Sequence, residues 1–571
     1  METPGVCFYT RTVPSTNMNR TSRTGLMNRR VFLGSATAAG IAPALRSQAP
    51  EARVEILLDE PVATIAPEIY SHFVENLGTV VYGGVWVGEN SKIPNIGGIR
   101  KDLVERLRKV RPAVVRWPGG CFADQYDWRD GIGPRSKRPR RTNFWVDAKE
   151  WPANASKTGP QRYDPNEFGT IEFARFCRLT GAQPYLAANL RSLPPQGFWR
   201  WVEYCNSPAG STTLADQRAT DGEREPLNVR FWGVGNESWG CGGEFTPEDY
   251  ATEFRRYATW VPSYGVKLAL VGSGPNGDSR DWTRRFFEKM TRGHGLGNLW
   301  GWAAHHYSWK AVSGANGDWY RGKGDALNYD AEQYYAILSE AGRMEPLIVS
   351  QWGVMGEFDP KHVVRLVVDE WGAWYAPGTE PTPESLLGQQ NTMRDAVLAG
   401  LTLDIFNRHS DKVAMANIAQ LVNNLQALFL AREDRLAVTP TYHVFDMYSA
   451  HQGATAVRAE FASPQVLFQR GGQPAGIRGL SGSASVSGKR LTITVTNPHL
   501  TQASAAEITL RGGTVKSVSA TVLAASDVHA HNTWDQPNEV EPKAAAAMGK
   551  GNVITHTFPA ASVTKLSVDL A

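Results

Sequence analysis

Two glutamates stand where apolar runs give out. Glu237 closes VRFWGVGNE (Val229–Glu237), and Glu370 lies near the end of RLVVDEW (Arg365–Trp371). A lone carboxyl group there is most simply a loop residue. A pair of them suits glycosidic bond cleavage, which needs two carboxyl groups flanking one bond. One is protonated and donates to the leaving oxygen. The other is ionised and attacks the anomeric carbon or activates water. Asn236, just before Glu237, is placed to hold a sugar hydroxyl. Competing chemistries fit less well. GVGNES starts like a dinucleotide fingerprint, but Ser238 replaces the third glycine. His305 and His306 are strand neighbours and point to opposite faces, and no H-E-x-x-H or G-x-S-x-G occurs. No metal and no cofactor is expected.

The elements that must carry these residues alternate. Eight short apolar runs read as strands: Glu68–Glu75, Ala113–Gly120, Pro184–Leu190, Val229–Glu237, Leu268–Gly274, Gly301–Tyr307, Arg365–Trp371 and Lys412–Gln420. Helical patterns lie between them. GIRKDLVERLRKV keeps Ile99, Leu103, Leu107 and Val110 on one face. TPEDYATEFRRYATWV opens with Thr246 as N-cap, Pro247 in the first turn and Asp249 at the capping-box position. Eightfold strand–helix alternation predicts an α/β fold, a parallel (β/α)8 barrel over 67–448. Such barrels place their chemistry at the C-terminal strand ends. There the sequence has Glu75, Arg116, Asn189, Asn236, Glu237, His305, Tyr307, Glu370 and Gln420. After residue 449 strict alternation takes over, as in RLTITVTNP (Arg490–Pro498), and predicts a C-terminal antiparallel β-sandwich, jelly-roll-like, to residue 571. RVEILLDEP, within 51–66, alternates too and is expected to join that sandwich.

The chain has 571 residues, 42% of them hydrophobic, and a net charge of only +4, so neither nucleic acid nor membrane is an expected partner. Residues 1–50 read as a leader. Arg29–Arg30 precede a short apolar run and an Ala-x-Ala site at Ala42–Ala44, a signal peptide of twin-arginine type. Export from a bacterial cytoplasm, to periplasm or exterior, is the expectation. Five cysteines occur, Cys7 in the leader and Cys121, Cys177, Cys205 and Cys241 beyond it. Export allows a disulfide, but the sequence names no pair.

Long motifs then carry a resemblance. YSHFVENLG from Tyr70, RWPGGCFADQYDWRDGIGP from Arg116, FWGVGNESWGCGG from Phe231 and VVDEWGAWY from Val367 are similar to glycoside hydrolase family 51, the α-L-arabinofuranosidases. QQNTMRDA from Gln389, MANIAQLVN from Met415 and TPTYHVFDMY from Thr439 extend it. The resemblance implies a retaining, exo-acting enzyme that removes terminal α-L-arabinofuranosyl residues from hemicellulose or oligosaccharides. By motif, Glu237 is the acid/base and Glu370 the nucleophile. Glu75, Arg116, Cys121, Asn236, Tyr307 and Gln420 line the furanose pocket, and Trp374 shapes its wall. It also implies a homo-oligomer, a hexamer in many members. Two stretches depart from the family pattern: Arg191–Trp199, and the long loop Thr142–Pro165. Both are expected near the mouth. The alternatives are another glycosidase on this fold, a xylosidase or endo-glycanase, or a non-catalytic sugar-binding protein. Both carboxylates and Asn236 argue against the last.

Overall fold

The computed structural model describes residues 52–293 and 295–571; the leader lies outside the described residues. Strand β1 (Ala52–Thr64) comes first. Eight parallel strands then close into a barrel: β2 (Ser71–Phe73), β3 (Val114–Trp117), β4 (Gln183–Ala188), β5 (Phe231–Val234), β6 (Ala269–Gly272), β7 (Gly301–Ser308), β8 (Arg365–Ala373) and β9 (Val413–Ile418). Each of the eight predicted runs overlaps one of these strands. Closure is made by β9 on β2, where Asn417 faces Ser71.

The two-residue period of a strand sorts the side chains. Val114, Tyr185, Phe231, Val271, Ala303, Val367 and Met415 fill the barrel interior. Their neighbours Val115, Leu186, Trp232, Leu270, Trp302 and Leu366 face the helical layer. Helix Lys101–Val110 buries Leu103, Leu107 and Val110, as its periodicity predicts, while Ile99 belongs to a short strand just before it. Each such aliphatic side chain contributes about 1.5–3 kcal/mol when buried. In helix Pro247–Ala258, Thr246 Oγ1 accepts from the Asp249 N–H. The expected reciprocal box is replaced by a side-chain pair, in which Thr246 Oγ1 also donates to Asp249 Oδ2 at 2.7 Å.

In the C-terminal region nine strands build one sheet with β1: β10 (Thr455–Ala462), β11 (Ser481–Ser487), β12 (Arg490–Asn497), β13 (Ser504–Arg511), β14 (Val515–Leu523), β15 (Lys543–Ala545), β16 (Met548–Lys550), β17 (Val553–Phe558) and β18 (Ser562–Leu570). Together with β1 they form ten hydrogen-bonded strands in the order β15-β14-β18-β12-β11-β10-β1-β13-β17-β16. The strands fold over a shared core of Val54, Ile56, Ile493, Val495, Ile508, Ile554, Leu566 and Val568. Strand β1 sits mid-sheet, antiparallel to β10 and parallel to β13.

Candidate active site

Arg116 is the hub of the C-terminal rim, and it is 1% exposed. A buried guanidinium needs partners in every direction. Its Nη1 donates to Glu370 Oε1 at 2.9 Å and its Nη2 to Asn236 Oδ1 at 2.5 Å. Its Nε faces Asp369 Oδ2 at 3.4 Å, and its plane lies 4.7 Å from the Phe73 ring centre. Burial opposes the charge, but Asp369 and Glu370 outweigh it and hold Arg116 protonated. Asp369 is fixed in turn by the Tyr185 hydroxyl at 2.9 Å and the Asn417 amide at 2.7 Å.

Glu370 therefore has one oxygen on Arg116. The other accepts from the Tyr307 hydroxyl at 2.7 Å. Burial pushes its pKa up. His305, Arg116 and the Tyr307 hydrogen bond outweigh that and hold it below the usual carboxylate range.

His305 enters through a bulge. The β7–β8 register slips between Ala304 and His305, which brings His305 level with Glu370. Its Nδ1 lies 2.9 Å from Glu237 Oε1 and 3.6 Å from Glu370 Oε2. Burial favours the neutral ring, but the two carboxylates prevail and raise its pKa. His306 points the other way, to the Glu340 carbonyl at 2.8 Å.

Glu237 stands on a tight turn beyond β5. Gly235 has φ +80° and Glu237 itself +40°. A non-glycine residue in that region costs about 1–3 kcal/mol and persists only where its surroundings fix it. Here the Glu237 carbonyl accepts from the N–H groups of Gly240 and Gly242. Asp124 Oδ2 takes the Asn236 N–H at 2.9 Å. A side chain at Gly242 would meet the Asn236 carbonyl at 1.8 Å.

Glu75 closes the far side. Its Oε1 accepts from the Phe122 N–H and from Trp145 Nε1, both at 3.0 Å, and its Oε2 from Gln420 Nε2 at 3.3 Å. Burial, with the charge of Glu370 nearby, raises its pKa to about 7. A Cβ at Gly120 would sit 3.1 Å from Glu370 Oε1 and 3.4 Å from Glu75 Oε2. Only glycine leaves the space between those two carboxyl groups open. Tyr307 packs edge-on against Trp374, and Trp374 against Trp319. A cavity of about 660 Å³ opens beside the carboxylates, lined among others by Glu237, His305, Tyr307, Trp374, Trp239 and Arg343. Glu75, Arg116 and Glu370 do not line it, so it opens on the Glu237 side.

The structure thus brings Glu75, Arg116, Asn236, Glu237, Tyr307, Glu370, Trp374 and Gln420 into one rim. Asn189 turns aside, with its amide on Ser192 Oγ at 2.7 Å. Cys121 also reaches this rim. It is bridged to Cys241, a pairing across 120 positions that the sequence left open. The sequence reading placed His305 at a strand end without giving it a role, and missed Trp145 and Asp124 altogether. The Trp145 contact places part of the Thr142–Pro165 loop at the rim. The Arg191–Trp199 stretch is not all loop, since helix Pro195–Asn206 begins within it. Among the described residues, two groups of ligand-type atoms lie within 4.8 Å of one another: Cys121, Glu237 and Cys241, and Glu237, His305 and Glu370. The second is a hydrogen-bonded acid–histidine cluster, and the first has both sulfurs bridged.

Family models for the α-L-arabinofuranosidase 1 domain and the α-L-arabinofuranosidase C-terminal domain match residues 106–321 and 369–562. A Bacteroides ovatus protein named an intracellular exo-α-L-arabinofuranosidase is 36% identical over 496 residues, covering 86% of this chain and 90% of that one. The chain belongs to the arabinofuranosidases of glycoside hydrolase family 51. A family 51 arabinofuranosidase from Xanthomonas axonopodis pv. citri superposes with a TM-score of 0.83 at 35% identity, over 91% of this chain and 100% of that one. A Bifidobacterium longum relative named an intracellular exo-α-(1→5)-L-arabinofuranosidase is 27% identical, covering 92% of this chain and 94% of its own length.

These names overturn one expectation. Relatives that span nearly the whole chain are named intracellular, so the predicted export does not stand. Its physical basis was a pair of arginines before an apolar run, a pattern too short to separate a leader from an ordinary N-terminal segment.

Proposed function

We propose that this family 51 enzyme is an exo-acting α-L-arabinofuranosidase that works inside the cell and retains anomeric configuration. The relatives' names support the substrate class and the compartment. A blind inner end, with Glu75, Arg116 and Gln420 all buried, suits a terminal sugar rather than a chain passing through. The spacing of the carboxyl groups carries the stereochemistry. One oxygen of Glu237 lies within 4.8 Å of one of Glu370. Retaining enzymes hold their carboxyl groups about 5–5.5 Å apart and inverting ones about 6.5–9.5 Å.

The electrostatics around Glu370 support its role. Glu370, held ionised between Arg116 and Tyr307, attacks the anomeric carbon and becomes the glycosyl ester. Glu237, half-buried at the cavity, gives its proton to the leaving oxygen and then takes one from the attacking water. Asn236, fixed by Arg116 and Asp124, presents its amide to a ring hydroxyl. Glu75 and Gln420 hold hydroxyls at the inner end. No step calls on a metal or cofactor.

Hydrolysis of nitrophenyl α-L-arabinofuranoside, against the xyloside and glucoside, tests the substrate class. The Glu370→Gly variant should be inactive until azide takes the carboxylate's place, giving an arabinosyl azide of inverted configuration. The Glu237→Ala variant should lose about 10²–10⁴-fold on poor leaving groups and far less on activated aryl ones. Azide should then give a product of retained configuration. Exchanged azide stereochemistries would exchange the roles, and an inverted wild-type product would reject the mechanism.

A further inference from the structure

The bridge between Cys121 and Cys241 is set against the proposed acid/base. Cys121 follows the glycine pair beyond β3, and Cys241 lies on the turn that carries Glu237. Both sulfurs belong to half-buried residues at the rim. Cys241 Sγ is 3.7 Å from Glu237 Oε2 and 4.0 Å from the Asn236 amide. A bridged sulfur has no proton to donate, so the 3.7 Å approach is a contact and not a hydrogen bond. The other two cysteines of the described residues, Cys177 and Cys205, are buried and free.

From this arrangement we propose that reducing the bridge turns Cys121, Cys241 and Glu237 into a site for one thiophilic divalent cation, Zn²⁺ or Cd²⁺, whose occupation stops turnover.

The geometry is close to that of a metal site. Zinc takes thiolate sulfur at about 2.3 Å and carboxylate oxygen at about 2.0–2.2 Å in a tetrahedron. Those bond lengths put a ligating sulfur and oxygen roughly 3.5 Å apart. Cys241 Sγ and Glu237 Oε2 already stand at 3.7 Å. The two Cα atoms are 5.5 Å apart, so side-chain rotation alone can part the sulfurs around one ion. Two sulfurs and one oxygen leave the fourth position to water, open at the rim.

The redox step is thiol–disulfide exchange with a dithiol reductant. One reductant thiolate attacks a bridge sulfur and the Cys–Cys bond breaks. The second reductant sulfur then resolves the mixed disulfide. The reductant leaves as its own disulfide, and two protons end on Cys121 and Cys241. Metal binding displaces those two protons. A reducing compartment, proposed above, would favour the open pair.

Inhibition rests on Glu237 being the acid/base, so the experiment reads binding and turnover separately. The full chain is reduced with a dithiol, freed of it, and titrated anaerobically with Cd²⁺. The ultraviolet thiolate-to-metal absorption is followed alongside hydrolysis of a nitrophenyl arabinofuranoside. We expect one cation per chain, a band in the reduced protein only, and activity lost in step with the band and restored by chelator. The oxidised protein keeps every other cysteine and is the control. Cys241→Ser should lose the band. Glu237→Gln should keep two thiolates but bind at least about tenfold more weakly, a loss typical even of partners that only orient a ligand. Turnover in each variant is compared with its own metal-free rate. No band in the reduced protein, or an equal band in the oxidised one, overturns the proposal. A one-to-one band with turnover unchanged refutes the acid/base role of Glu237 where Glu237→Gln weakens binding; where Glu237→Gln binds as tightly as wild type, Glu237 is no ligand and the proposal is overturned.

Discussion

Tyr307 shows how one side chain sets the state of another. Its hydroxyl donates to Glu370 Oε2 at 2.7 Å and is one of the groups that hold the Glu370 pKa down. A hydrogen bond to a charged acceptor contributes about 1.5–3 kcal/mol. Tyr307→Phe should therefore lower kcat/KM by about 10- to 100-fold. The sign of its pH effect follows from the cause. Removing a donor that favours the ionised form raises the Glu370 pKa, so the acid limb of kcat/KM should move to higher pH. An unmoved limb would mean that Arg116 and His305 fix the Glu370 charge alone. The residue types at this site were legible because each polar one ends an apolar run. His305 was harder to read. Its aim depends on a slip in the strand register at Asp369 of β8, and nothing in RLVVDEW marks it.

The strand ends are held in place by contacts that no local pattern announces. Asp124 is such a contact. Its Oδ1 accepts from the N–H groups of Leu190 and Arg191 beyond β4, and its Oδ2 from Asn236 beyond β5. One carboxylate thus fixes two strand-end turns from a third, although burial raises its pKa to about 7. Periodicity located all eight barrel strands, because apolar runs of that length must be buried. It could not locate Asp124, which lies in CFADQ without a repeat or a turn signal, nor the Cys121–Cys241 bridge. Asp124→Asn keeps size and one acceptor but points an amide N–H at the Asn236 N–H. That should cost about 1–3 kcal/mol of stability and displace the turn under Glu237. We expect kcat to fall with KM little changed, measured beside a thermal melt. A kcat equal to wild type at full substrate saturation would show that the turn holds without Asp124.

Among the contacts that join the barrel to the β-rich part after it is a buried carboxylate, Asp404. Helix Met393–Arg408 of the barrel packs against β11 and β12, and Asp404 points from it into the sheet. Its Oδ1 accepts from Ser483 Oγ at 2.7 Å and Thr494 Oγ1 at 2.6 Å, and its Oδ2 from the Tyr448 hydroxyl at 2.9 Å. A side chain at Gly400, one turn earlier, would meet Thr496 Oγ1 at 2.7 Å, so helix and sheet touch directly. Chain continuity reinforces this seam, because β1 precedes the barrel yet pairs inside the sheet that follows it. Burial raises the Asp404 pKa from 3.8 to about 6, against the pull of its hydroxyl donors. A raised carboxyl pKa means that the folded state binds the proton more tightly than the unfolded one. Stability from this group is therefore full below about pH 3.8 and falls as pH rises to about 6, by roughly 3 kcal/mol in all. Asp404→Asn removes that titration, so its stability relative to wild type should climb by a similar amount across the same window. Asp404→Ala instead leaves buried hydroxyls without their acceptor and should lose about 3 kcal/mol near neutral pH. Since the seam belongs to barrel and sheet alike, both should melt together at the lower temperature in calorimetry. Two separated transitions, with only one displaced, would show that the parts unfold independently and that Asp404 does not couple them.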